Sequence, residues 1–307
     1  MSVLSAPYFH DADAARVELE RTLWAGGPVC PRCGGKERIT DVKGGRAGLR
    51  RCGPCKRQFT VTVGTVFESS HVALNLWLQA VYLMCSSKKG ISAHQLMRVL
   101  DVQYKTAWFM AHRIREAMTA GNLPPMGGEG ETVEIDETFI GTKHKKPDGA
   151  RGYAHKNAVM TLVQRGGSAR SFHVDGTKAF DLMPIIKANV APGTRIMTDE
   201  AGQYIGLKKH FTEHDFVRHG QGEYGRGPVH TNTVEGFYSV FKRGMKGVYQ
   251  HCAAKHLHRY VAEFDFRYNN RIALKVDDAQ RTIKALHGVA GKRLTYRAGT
   301  SKASKQA

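Results

Sequence analysis

The stretch ETVEIDETFIG, residues 131–141, decides the reading of the fold. Apolar and polar residues alternate along it, the period of a β-strand with one buried face. Asp136 stands inside that strand among Val133, Ile135 and Phe139. A carboxylate among apolar strand residues is costly unless something compensates it, and a divalent cation is the usual compensation. Immediately upstream, GNLPPMGGEG at 121–130 is rich in Gly and Pro and marks a domain boundary. Downstream, NAVMTLVQR (157–165) and ARSFHV (169–174) read as strands joined across Gly166-Gly167, a hairpin signal. A helical stretch over 180–190 precedes a short strand at 194–199, and the next helix spans 233–246.

Two further acids belong with Asp136. Asp199 ends the strand RIMTD (195–199), where the same cost of an acid beside apolar residues applies. Glu235 lies on the following helix, whose Val234, Phe237, Phe241, Met245 and Val248 form an apolar stripe at steps of 3, 4, 4 and 3. Lys242 follows Glu235 by seven residues, nearly two turns, so both side chains emerge along one face. Asn232, just before the helix, either caps it or joins the site. Taken singly, Asp136 reads as a surface acid on an edge strand, Asp199 as a turn residue and Glu235 as a solvated helix acid. In this order, first strand, later strand, following helix, they read as the metal-binding triad of an α/β, ribonuclease-H-like fold.

Toward the N-terminus, Cys30-Pro-Arg-Cys33 and Cys52-Gly-Pro-Cys55 each hold two residues between cysteines, and 18 residues separate the pairs. This is the spacing of a four-cysteine zinc site, closed and therefore structural. Such a site supplies folding energy to a segment too short to bury a core of its own. Arg50, Arg51, Lys56 and Arg57 surround the second pair and Phe59 follows, a set suited to DNA phosphates or simply to an exposed basic loop. Residues 1–25 read as helical, with Ala14, Val17, Leu19 and Leu23 packing behind. LNLWLQAVYLMC (74–85) is apolar almost all round, a buried helix. Residues 91–118 read as helix, turn, helix, with Leu96, Val99 and Leu100 facing inward. The second helix would then offer Tyr104, Lys105, Trp108, His112, Arg113 and Arg115 to DNA.

Charge supports that assignment. The 307 residues carry 46 Lys plus Arg against 27 Asp plus Glu, a net +19, which implies an extended anionic partner such as nucleic acid. The excess is uneven: 17 basic and 9 acidic residues over 1–125, 14 and 13 over 126–230, and 15 and 5 over 231–307. A nearly neutral middle between basic flanks fits a catalytic centre rich in acids, gripped to DNA on either side. There is no secretory signal over 1–24 and no apolar run of membrane-spanning length. The paired cysteines read as metal ligands in a reducing cytoplasm.

Together these segments resemble DDE-type insertion-sequence transposases, specifically the ISXO-like group with an N-terminal zinc ribbon. The residues that carry the resemblance are CPRC…CGPC with RQFTVTVGTVFESS, then VEIDETFIG, then TDE at 198–200, and most specifically HTNTVEGFYSVFKRGMKGVYQH at 230–251. It spans roughly residues 25–270 and implies a ribonuclease-H-like core and two divalent ions, Mg²⁺ or Mn²⁺, held by Asp136, Asp199 and Glu235. It further implies binding to the element's terminal inverted repeats and to target DNA, by a homodimer or higher assembly, at the nucleoid of a bacterial cytoplasm. The third position of the triad in this group is Asn or Glu followed by Lys, which leaves Glu235 and Asn232 as competitors and makes Lys242, Arg243 and Lys246 phosphate contacts. The expected organisation is an N-terminal helix (1–27), zinc ribbon (28–70), helix-turn-helix-like segment (71–122), catalytic core (130–255), C-terminal helical segment (256–297) and disordered basic tail (298–307). A DNA-binding regulator with idle acids, or a ribonuclease-H-type nuclease that cuts without joining, are the rival readings.

Overall fold

The computed structural model describes residues 3–143, 146, 148–149, 152–153 and 155–295. They form two compact units, one from residues before 87, 93–118 and 278 onward, the other from 87–92 and 119–277.

In the first unit, helix α1 (Ala12–Leu23) begins at Asp11, whose carboxylate caps it by accepting from the Ala14 N–H at 2.6 Å. Ala15 and Leu19 form its buried stripe; Val17, expected inward, is 54% exposed because it falls on the opposite face. Three short antiparallel strands follow, β1 (Ile39–Asp41), β2 (Arg50–Cys52) and β3 (Gln58–Phe59). Their small core is Cys30, Cys52 and Phe59, with Trp24 edge-on to Phe59 at 5.9 Å. The apolar helix α2 (Leu74–Ser86) buries Trp77, Leu78, Val81 and Met84 against α1 and its other neighbours in this unit. Helices α3 (Ala93–Leu100) and α4 (Tyr104–Met118) are joined by a three-residue turn in which Asp101 adopts φ 50°. Leu96 and Leu100 pack inward as expected, but Val99 is 53% exposed.

The second unit is built on a five-stranded sheet. Strands β4 (Thr132–Ile140), β5 (Asn157–Gln164) and β6 (Ala169–Val174) form an antiparallel meander. Helix α5 (Ala179–Asn189) leads to β7 (Arg195–Asp199), which lies parallel to β4 on its other side, and β8 (Glu213–Val217) lies parallel to β7. The order is therefore β6-β5-β4-β7-β8, with the acid-bearing β4 in the centre. This is the ribonuclease-H-like arrangement. Strand alternation supplies two cores, one on each face. Val133, Ile135, Met160, Leu162 and Ile196 pack toward α5, each burial worth about 1.5–3 kcal/mol.

On the opposite face lie the last elements of this unit. A two-residue hairpin, β9 (Gly225–Arg226) with β10 (Val229–His230), leads into α6 (Asn232–Gly244), which widens into a π-helical turn at Met245–Tyr249. Val234, Phe237, Phe241 and Met245 of this segment pack with Val159 and Val163 and with Leu257, Val261 and Phe264 of α7 (Ala254–Asn269).

Residues 256–297, expected as one C-terminal segment, are divided. α7 covers the sheet, whereas α8 (Asp278–His287) belongs to the first unit, where it packs on α2, α1 and α4. The break falls at Lys275, in the left-handed region at φ 59°. The expected basic tail at 298–307 lies outside the described residues. Among the described residues no helix is long and apolar enough to cross a membrane.

Candidate active site and metal centre

Strand register brings the first two acids side by side. The last registered pair between the parallel strands β4 and β7 is Glu134 with Met197. Asp136 and Asp199 each lie two residues beyond it, and so project from the same face of neighbouring strands. Burial lifts the Asp136 carboxyl to about 8, with the negative charges of Glu137, Asp199 and Glu235 adding to the effect. Asp199 is raised as well, again chiefly by burial. Its Oδ1 accepts from the Ala201 N–H at 3.1 Å. Carboxyls crowded until they resist ionisation are a place where a cation is favoured, and the all-oxygen donor set suits Mg²⁺ or Mn²⁺.

Glu235 is exposed in the first turn of α6. Its Oε1 accepts from Thr231 Oγ1 at 2.8 Å and lies 3.5 Å from His219 Nε2. The loop carrying His219 is in turn held by Glu200, which accepts from the backbone N–H of His219 and Gly220 at 2.9 and 2.8 Å. Asn232 is exposed at the start of the same helix. Lys242 stands two turns on from Glu235, its Nζ 5.7 Å from the centre of the Tyr238 ring. The Tyr238 hydroxyl donates to the carbonyls of Asp136 and Val159, which fastens α6 to the central strands.

Two acids beside Asp136 did not stand out in the sequence. Glu134 is 0% exposed. It accepts from the Thr233 N–H, Thr233 Oγ1 and Val234 N–H at 2.7, 2.8 and 3.0 Å, satisfying donors that open the first turn of α6. It also pairs with Arg165 at 2.7 Å and lies 3.2 Å from His230 Nδ1. Glu134 thus ties the helix bearing Glu235 and Lys242 to the strand bearing Asp136. The available signal was its strand parity: Glu134 shares the face of Asp136, where an uncompensated acid is as costly. Glu137 accepts from the Tyr204 hydroxyl and from Gln203 Nε2, and burial raises it to about 7.

The four cysteines of the ribbon converge. Sγ of Cys30 and Cys55, and of Cys33 and Cys52, lie 3.6 Å apart, and all four fall within 4.8 Å of one another. They are free thiols, too far apart for disulfides. A tetrahedron with Zn–S bonds of 2.3 Å has edges of about 3.8 Å, so the spacing fits one zinc ion. The two knuckles are built alike: Gly34 N–H reaches the Cys30 carbonyl and Lys56 N–H the Cys52 carbonyl, both at 2.9 Å. Gly34 and Lys56 both take positive φ, 71° and 60°. Burial pushes the Cys30 thiol up, but hydrogen bonds from the Arg32 and Cys33 backbone and from Cys55 outweigh it and bring it down to about 7.

Comparison with known proteins matches the segments that hold the sheet and the ribbon. Residues 128–269 match the ISXO2-like transposase domain, and residues 10–58 match the transposase zinc-ribbon domain. An uncharacterized protein in transposable element ISH50 of Halobacterium salinarum is 32% identical over 250 residues, 73% of this chain and 80% of that protein. The chain belongs to the ISXO2-like transposases.

Membership in this transposase family gives the basic residues their context, and the structure sorts them. Arg51, Lys56 and Arg57 of the ribbon are exposed, as are Lys105 on α4 and Lys242, Arg243 and Lys246 on α6 and the turn after it. Arg50 is not free for phosphate: its guanidinium binds Asp41 and Glu20, both at 3.1 Å, and lies over the Trp24 ring. Arg113 is a correction to the sequence reading. It is 7% exposed, donates to the carbonyls of Val66, Glu68 and Leu294, and packs over Phe109, so it braces the first unit instead of facing DNA. His112 and Arg115, also expected on the DNA face, are buried on the same helix. The face of α4 that stays open in this transposase is its first turn, where Tyr104 stacks on His94 at 4.4 Å and Lys105 is exposed.

Proposed function

We propose that this transposase binds the terminal inverted repeats of its insertion sequence, cleaves the 3′ ends and joins them to target DNA by phosphoryl transfer. The observation that carries the reading is that Asp136 and Asp199 stand two residues past the last registered pair of adjacent parallel strands, with Glu235 on the helix that packs on β4. Two divalent cations, Mg²⁺ or Mn²⁺, would be held by Asp136, Asp199 and Glu235 and would supply activation of the attacking oxygen and stabilisation of the leaving 3′ oxygen. Glu235 is favoured over Asn232 as third ligand because a carboxylate is the stronger oxygen donor to a hard divalent cation and it stands seven residues before Lys242 on one helix face. Asn232 then orients water or DNA at the same helix end.

Each remaining step falls to this chain's own groups. Lys242, one helical face along from Glu235, receives a phosphate near the cut, and Arg243 and Lys246 extend that grip. Glu134 keeps α6 at a fixed height over β4, so that the three acids hold their separation. Water attacks the phosphodiester at the element end and releases a 3′-hydroxyl, which attacks a target phosphodiester in the same site, forming the new ester bond as the target's 3′ oxygen leaves, without a covalent enzyme intermediate. The zinc ribbon, through Arg51, Lys56 and Arg57, and the α3–α4 pair, through Lys105, read the inverted repeats. Joining two ends calls for a dimer or higher assembly on DNA.

Oligonucleotides bearing the element ends, with a plasmid target, test the proposal. Wild-type protein with Mg²⁺ gives joined products, and Asp136→Asn loses on the order of 10²–10³-fold of cleavage while still binding the ends. Binding without any cutting by the wild type would instead make the protein a regulator, and cutting without joining a nuclease. Glu235→Gln and Asn232→Ala, run together, decide the third ligand: the larger loss of cleavage marks it.

A further inference from the structure

A cavity of about 460 Å³ adjoins the acid cluster on the side of Glu137. Its lining combines groups that the reaction so far uses only in part. Among the described residues of its lining, Lys156, Lys242 and Lys246 bring three cations against the single carboxylate of Glu137, which is already held by Tyr204 and Gln203. Tyr153 stacks on Phe139, with ring centres 5.0 Å apart and planes inclined by 23°, yet it remains 55% exposed. The Lys156 ammonium lies 4.9 Å from the Tyr153 ring centre, a loose contact that an incoming group can displace.

Each observation restricts the ligand. A cationic lining favours an anion. An open aromatic face favours a flat ring, and nucleobases stack on such faces whatever their sequence. The volume is that of a small-molecule pocket, too small for a duplex. The geometry points to a subsite for one unpaired nucleotide of the DNA strand being processed. Its phosphate lies at Lys242 and Lys246 and its base against Tyr153. This rests on the reading of DNA as substrate and adds to it that the strand next to the cut is opened by at least one base. An enzyme that reacts at the backbone gains from such a subsite because the extruded base fixes the register of the neighbouring phosphate.

The test uses full-length, zinc-loaded protein without added Mg²⁺ and follows binding by fluorescence anisotropy. The probes are a blunt element-end duplex, the same duplex with a three-nucleotide single-stranded overhang, and the overhang made abasic. Wild-type protein should bind the overhang about 10-fold more tightly than the blunt end, and the abasic overhang should lose most of that gain. In Tyr153→Ala the overhang-to-blunt ratio should fall to about 2 or below. Tyr153 is exposed, so its substitution leaves the fold intact and keeps the test decisive. No overhang preference in the wild type, or an unchanged ratio in Tyr153→Ala, would overturn the subsite. Cleavage and joining by the wild type, measured on the same DNA with Mg²⁺, separate the two readings. If both occur while the ratio stays flat, only the subsite falls; if neither occurs, the transposition mechanism falls whatever the ratio.

Discussion

At the residue scale, Glu134 shows how a buried charge is made useful. With no exposed surface it depends on Arg165 and the opening turn of α6 for compensation, and these depend on it in return. Glu134→Ala should therefore cost about 3–5 kcal/mol in urea unfolding, the penalty for stranding a partner charge; a loss under about 1 kcal/mol would mean that α6 is anchored elsewhere. Asp265 on α7 gives a second residue-scale prediction. It is only partly exposed and accepts from the N–H and hydroxyl of Ser171 at 2.7 and 2.6 Å. Burial raises its carboxyl from 3.8 to about 6. The folded protein thus holds this proton more tightly than the unfolded chain, so the contribution to stability is complete below pH ~4 and is lost as pH rises to about 6. The loss is about 2 kcal/mol once the water-accessible part of the side chain is allowed for. In Asp265→Asn the difference in unfolding free energy between pH 4.5 and pH 7.5 should shrink by about that amount, and an unaltered difference would assign the pH dependence to other groups.

At the level of elements, α6 does most to organise the site, and its far end is fixed as tightly as its start. Gly244 ends the helix where it meets α7: a Cβ there would lie 2.4 Å from Phe264 Cζ and 2.6 Å from the Lys89 carbonyl oxygen. Gly244→Ala should destabilise by about 1–3 kcal/mol through overpacking against backbone that cannot retreat. It should also impair cleavage more than end binding, since Lys242 sits two residues before it. Equal losses in the two assays would show that the helix end does not position Lys242. Much of this element was legible beforehand. The apolar stripe from Val234 to Met245 and the strands at 131–141, 157–165 and 195–199 follow from periodicity, and the cysteine spacing announced the ribbon. The errors have a common cause. Arg113, His112 and Arg115 are charged or polar residues on a helix packed on more than one side, so polarity pointed them outward while tertiary packing turned them in. Val99 and Val17 erred in the opposite direction, apolar residues left on an open face. Glu134 was missed because nothing in a linear pattern shows that a strand acid will meet a helix N-terminus about a hundred residues later.

For the whole molecule, the division into two units separates what the metals should do. Stripping zinc from the ribbon should remove on the order of 10 kcal/mol of binding free energy from the cysteine knuckles. Calorimetry with a zinc-selective chelator should then show the transition of the first unit broadened and shifted down while that of the sheet unit stays within about 2 °C, whereas a parallel fall of both transitions would mean that they unfold as one. The charge distribution belongs to this scale too. With a net +19, end binding should weaken steeply with salt, by a slope that counts the phosphates contacted. One topological fact carries further than packing. The first unit is completed by α8, which is synthesised after every residue of the sheet unit. The ribbon and its helices therefore wait, with the α8-facing side of α2 uncovered, until translation has passed His287. A chain that ended before Asp278 would keep every residue of the sheet unit and lack the helix that packs on α2, α1 and α4.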